Sequence, residues 1–151
     1  MNTRLFVFVA ALMLTASIGG AQQPAPALVD ASRLRLQPEA AEAAFGKDVQ
    51  VIVFGDPAKP GLYAIRRKFT PGEMSRPHVH DKDRLVTVIK GTWYTGEGDV
   101  FEPAKTTPVK TGGFMLHPAG FHHYDGAKDE EVIVQIIGMG PVQTTSTELK
   151  R

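Results

Sequence analysis

The chain has 151 residues, with 17 Lys and Arg against 16 Asp and Glu, five His and no Cys. That is enough for one domain with a modest core, and the missing cysteines exclude disulfides, thiolate-held metals, iron–sulfur clusters and a cysteine nucleophile. A net charge of +1 leaves no basic excess to grip a phosphate backbone, which argues against a nucleic-acid binder.

Arg4 is the only charge before Asp30, and it precedes an apolar run from Leu5 to Ile18 that ends in Gly19, Gly20 and Ala21. This order reads as a signal peptide over residues 1–21, cut after Ala21. The run is shorter than the roughly 20 residues that span a bilayer, so an uncleaved anchor is the weaker alternative, and no stable membrane anchor is expected after cleavage. Cleavage also removes Arg4, which brings acidic and basic residues into balance. The expected location is therefore outside the cytoplasm, periplasmic or secreted.

Residues 22–45 are expected to be a linker followed by a short helix. Pro24 and Pro26 open it, and Gln37 to Gly46 carries the helix signal, with Pro38 and Glu39 in a first turn, an Ala-rich body and a terminal glycine. From Val49 onward the chain becomes a series of β-favouring runs separated by Gly and Pro. The predicted strands are Val49–Phe54, Leu62–Phe69, Arg84–Ile89, Thr92–Thr95, Phe114–His117, Phe121–Asp125 and Glu131–Ile137. The spacing predicts an all-β sandwich or small barrel. Only Glu131–Ile137 is apolar enough for burial on both faces, and residues 141–151 are expected to be a loose polar tail.

All five histidines lie between His78 and His123. His78-Val79-His80 places two imidazoles on one face if the segment is a strand, because residues two apart project the same way. Such a pair can grip one metal ion from adjacent corners of its coordination sphere; two ordinary surface histidines are the plain alternative. A third histidine would come from Phe121-His122-His123-Tyr124, of which only one can face inward.

The full register is more specific than its parts. Gly72, five residues, His78-Val79-His80, three residues, Arg84, six residues, Gly91 resembles the first motif of the cupin superfamily. Gly112, five residues, Pro118-Ala119-Gly120, two residues, His123 resembles the second, and 20 residues separate the two. The chain is similar to small, exported, single-domain bacterial cupins.

The resemblance implies a double-stranded β-helix, or jelly-roll barrel, of six to eight strands over residues 46–140. It also implies one divalent transition metal held by His78, His80 and His123, with His122 pointing outward; zinc, iron, manganese, nickel and copper are all compatible. Cupin motifs normally carry a glutamate ligand where this chain has Arg84, and an asparagine where it has Ala127. Three neutral imidazoles and a divalent ion give +2, and an inward Arg84 would make +3. At an effective dielectric of about 20, a guanidinium about 7 Å from the ion costs roughly 5 kcal/mol unless an anion is present.

Three roles for Arg84 follow: an inward clamp for an anionic substrate such as a carboxylate, a surface pair with Asp81 or Asp83, or a cation that has displaced the metal. His117, just before the Pro118 turn, could line the cavity, bind substrate, become a fourth ligand, or simply be a hydrogen-bonded wall residue. The functional expectation is a metal-dependent enzyme acting on a small anionic or oxygenated molecule, with dioxygenase, isomerase, lyase and hydrolase chemistry all open. A non-catalytic module for metal or small-ligand binding and a purely structural barrel are the alternatives. Pairing of two copies through the Val49–Phe54 edge is also expected.

Overall fold

The computed structural model describes residues 45–47 and 49–149. The signal-peptide and linker expectations, and all but the last two residues of the predicted helix, lie outside them; residues 45–47 form a turn. The described chain is two five-stranded antiparallel sheets packed face to face.

The strands are β1 (Gln50–Phe54), β2 (Gly61–Phe69), β3 (His78–His80), β4 (Arg84–Lys90), β5 (Thr92–Glu97), β6 (Thr107–Lys110), β7 (Phe114–His117), β8 (His123–Gly126), β9 (Val132–Gly140) and β10 (Thr144–Ser146). One sheet runs β1-β2-β9-β4-β7 and the other β10-β3-β8-β5-β6. The expectation of six to eight strands is therefore an undercount. β6 and β10 lack the apolar alternation that marks a strand in sequence. Both are edge strands, where Pro108 costs no ladder hydrogen bond and threonine can face water.

The tail is also corrected. β10 pairs with β3 through Thr144↔His80, Thr145↔Val79 and Ser146↔His78. Beyond it the Thr147 and Leu149 N–H groups donate to the carbonyls of Pro77 and Asp99, and Arg76 pairs with Glu148.

Alternation decides what each strand buries. On β2, Tyr63, Ile65 and Phe69 turn inward; on β4, Val86 and Val88 do so, while Leu85 is exposed on the outer face. β9 lies between β2 and β4, and its first three residues, Val132, Ile133 and Val134, are all buried, as its unbroken apolar run predicts. Each such side chain contributes about 1.5–3 kcal/mol relative to exposure. Trp93 on β5 joins this core from the opposite sheet.

The glycine skeleton of the sequence motifs has a physical cause. Gly72, Gly91, Gly112 and Gly120 all have left-handed backbones, with φ between 76° and 84°. At Gly91 a side chain would also strike the Glu131 carbonyl, its Cβ lying 2.5 Å from that oxygen.

Candidate metal centre

β3 and β8 lie side by side with His78 directly opposite His123. His80, two residues along β3, shares the face of His78, so three imidazoles gather on the inner surface of one sheet. Their ring centroids are 4.3 Å (His78–His123), 4.8 Å (His78–His80) and 5.3 Å (His80–His123) apart. One nitrogen from each lies within 4.8 Å of the others.

Each ring is held by its Nδ1. His78 Nδ1 is 2.7 Å from the Arg76 carbonyl and His123 Nδ1 is 2.8 Å from the Phe121 carbonyl. A carbonyl only accepts, so Nδ1 carries the proton in both, and the lone pair is on Nε2. His80 Nδ1 is 2.9 Å from the Thr144 hydroxyl on β10. The Nε2 atoms of His80 and His123 are buried and have no hydrogen-bond partner. Imidazoles anchored at one nitrogen and unsatisfied at the other are arranged as metal ligands usually are.

The opposite wall comes from the other sheet, where Arg84 on β4 pairs across the ladder with His117 on β7. Arg84 shares the inward face of Val86 and points into the cavity, beside Tyr63 and Asp125. The surface-pair role is therefore excluded: Asp81 engages Lys82 and the Gln143 N–H, and Asp83 accepts from the Ala119 N–H. Arg84 Nε makes no hydrogen bond. Burial pushes the guanidinium pKa down, against the opposing pull of Asp125 and Tyr63, but arginine remains charged in proteins.

His117 is 1% exposed, lies against His123 with ring centroids 3.8 Å apart and planes tilted by 39°, and has no partner for either ring nitrogen. It is thus no hydrogen-bonded wall residue. His122 is on the surface, its Nδ1 2.5 Å from Asp99.

Burial, reinforced by the Arg84 charge, holds the rings of His80, His117 and His123 neutral. It pushes His80 down to about 3 and His117 to about 2, and His123 to about 4 against the opposing pull of its Phe121 hydrogen bond. Their lone pairs are therefore available to a metal at neutral pH. Sequence reasoning missed Asp125, which is 6% exposed and whose Oδ2 lies 3.7 Å from His123 Nε2. With His123 neutral this contact is no ion pair. The signal was present as His123-Tyr124-Asp125, a second pair of metal-binding residue types spaced two apart in a strand.

The cavity between the walls is about 220 Å³ and is also lined by Trp93, Val86 and Thr144. At about 30 Å³ each it would hold about seven waters, so it suits a small ligand. A larger depression of about 460 Å³ beside β5 and β6 contains Met115, Phe114 and Tyr124 but no histidine.

No protein-family model matches the chain, and no curated protein matches it by sequence. Solved structures do. A conserved protein with a double-stranded β-helix domain from Klebsiella pneumoniae aligns with TM-score 0.59 and 18% identity, over 76% of this chain and 100% of its own. The polyketide cyclase RemF from Streptomyces resistomycificus aligns with TM-score 0.57 and 14% identity, over 68% and 72%. A cupin-like protein from Thermotoga maritima aligns with TM-score 0.53 and 20% identity, over 65% and 75%. At these identities the likeness is one of fold.

Proposed function

We propose that this chain, which has the double-stranded β-helix fold of the cupin superfamily, is a metal-dependent enzyme acting on a small anionic molecule. His78, His80 and His123 would hold one divalent transition metal, and Arg84 would hold the negative end of the substrate. The observation that carries the reading is the orientation of the imidazoles, anchored at Nδ1 and, for His80 and His123, unsatisfied at a buried Nε2. Leaving such a group buried and unpaired costs about 1–3 kcal/mol, and a bound cation would remove that cost.

When bound, a divalent metal supplies Lewis acidity or lowers the pKa of a water. The chain's own residues do the rest. The Arg84 guanidinium offers planar donors that match a carboxylate, and its charge inside the cavity favours an anion over a neutral ligand. Val86 and Trp93 supply apolar surface to part of the wall, beside which both interactions are screened less than in bulk water. The small volume of the cavity restricts the substrate class to short molecules. Action outside the cytoplasm belongs to the same proposal and is supported by the apolar segment at residues 5–18.

Elemental analysis of untagged protein tests the metal reading. One equivalent in the native chain, lost in His78→Ala/His123→Ala, is expected. No metal in the native chain after incubation with zinc, iron, manganese, nickel or copper would refute it.

A further inference from the structure

Position 84, where cupin motifs carry a glutamate, leaves the three imidazoles without an anionic companion from β4. We propose that Asp125 supplies it, so that the carboxylate ligand of the centre comes from β8, the strand of His123. The inference rests on the reading of His78, His80 and His123 as metal ligands.

Geometry favours it first. Asp125 lies two residues beyond His123 on one strand, so both side chains leave the same face. The gap of 3.7 Å between Asp125 Oδ2 and His123 Nε2 is near the separation of two ligand atoms on one ion. With bonds of about 2.1 Å and tetrahedral angles that separation is about 3.4 Å. A side-chain movement of a few tenths of an ångström would bring Asp125 to that spacing from His123, and a larger one would bring it to His78 and His80, with which it does not group within 4.8 Å.

The surroundings of the carboxylate point the same way. Ser75 Oγ donates to Asp125 Oδ1 at a long 3.3 Å, which leaves Oδ2 turned toward His123. A buried carboxylate ordinarily requires a partner of opposite charge or a metal. Burial pushes the Asp125 pKa up, while His78, Arg84, Ser75 and Trp93 favour its charged form, and a metal at the imidazoles would add a further opposite charge.

Charge balance supplies the third argument. A divalent ion with Arg84 nearby sums to +3, and Asp125 lowers this to +2, which lets both cations occupy one cavity of about 220 Å³. The residue therefore resolves the conflict created by arginine at position 84. His117 is the competing fourth ligand, since His117, His123 and Asp125 form a second group whose ligand atoms lie within 4.8 Å of one another. Its ring contacts are with Trp93, Phe121 and His123, whereas His78 and His80 contact each other and His123. By that grouping His117 and Asp125 both adjoin the cluster at His123 rather than at His78 and His80, and what favours Asp125 is its negative charge.

Cobalt(II) is the probe, titrated into untagged metal-free protein with binding followed by calorimetry and visible absorption. The native chain should bind one equivalent. Asp125→Asn should bind it at least about tenfold more weakly and with shifted d–d bands, since even supporting partners of metal ligands are worth about 10–100-fold. His78→Ala should lose most of the affinity.

Native-like affinity and bands in Asp125→Asn, with binding lost in His78→Ala, would overturn the role of Asp125 and leave the metal centre standing. Bands that move in His117→Ala but not in Asp125→Asn would give the position to His117. No cobalt uptake by the native chain, or full uptake by His78→Ala, would refute the metal reading and this inference with it. Because Asp125→Asn could fail to fold, the infrared difference between cobalt-loaded and metal-free native protein gives a second readout. A perturbed carboxylate stretch is expected, and its absence would overturn the proposal.

Discussion

The two walls of the cavity are built from the same kind of strand yet prepared for opposite partners. On the β3–β8 wall every imidazole is anchored at Nδ1 to a carbonyl or hydroxyl. The facing β4–β7 wall presents a buried cation, Arg84, and an imidazole, His117, with neither ring nitrogen engaged. The first wall is pre-organised for a cation. The second carries positive charge, set beside Tyr63 and Asp125, that an anion in the cavity would also meet. A barrel used purely as a scaffold would have no reason to carry either arrangement, because unsatisfied polar groups in a core reduce stability.

Removing the cation wall should give the largest effect. His78→Ala/His123→Ala should lower metal affinity roughly a thousandfold or more, since most of the binding energy of such a site lies in its direct ligands; competition against a chelator measures this. Arg84→Glu comes next. Reversing a charge near the ion should tighten metal binding at least about tenfold and abolish binding of small carboxylates, which calorimetry reads in one sample. Looser metal binding in that variant would break the contrast between the walls.

Thr144→Val sharpens the comparison from the edge of the barrel. It removes the hydroxyl that meets His80 Nδ1, so metal affinity should fall by about tenfold while stability to urea changes by only about 1 kcal/mol. His122→Ala is the smallest. The ring is on the surface with Asp99 as its partner, so metal content should be unchanged and stability should shift by no more than about 0.5 kcal/mol.

The cation wall was legible in the sequence because its signal is spacing. His78 and His80 stand two apart, so period-2 geometry places them on one face, whereas the choice of His123 over His122 rests on the resemblance to the second cupin motif, and its place opposite His78 on the strand pairing. Arg84 was legible only in part. It shares the inward face with Val86 and Val88, but Leu85 and Ile89 on the outer face are also apolar, which blurs the alternation of β4.

Asp125 and Thr144 were not found for different reasons. Asp125 falls among charged residues that usually face solvent, and only its register to His123 reveals it. Thr144 belongs to a polar segment with no hydrophobic period, and β10 forms because its backbone completes an edge of β3, information that belongs to the fold rather than to the segment.

The claim that an anion belongs between the two walls is tested most directly by calorimetry of a small carboxylate against four forms: native and Arg84→Ala, each metal-loaded and metal-free. Tight binding only to the metal-loaded native protein, with losses on removing either the metal or the guanidinium, is the predicted result. An affinity unchanged by both removals would contradict it.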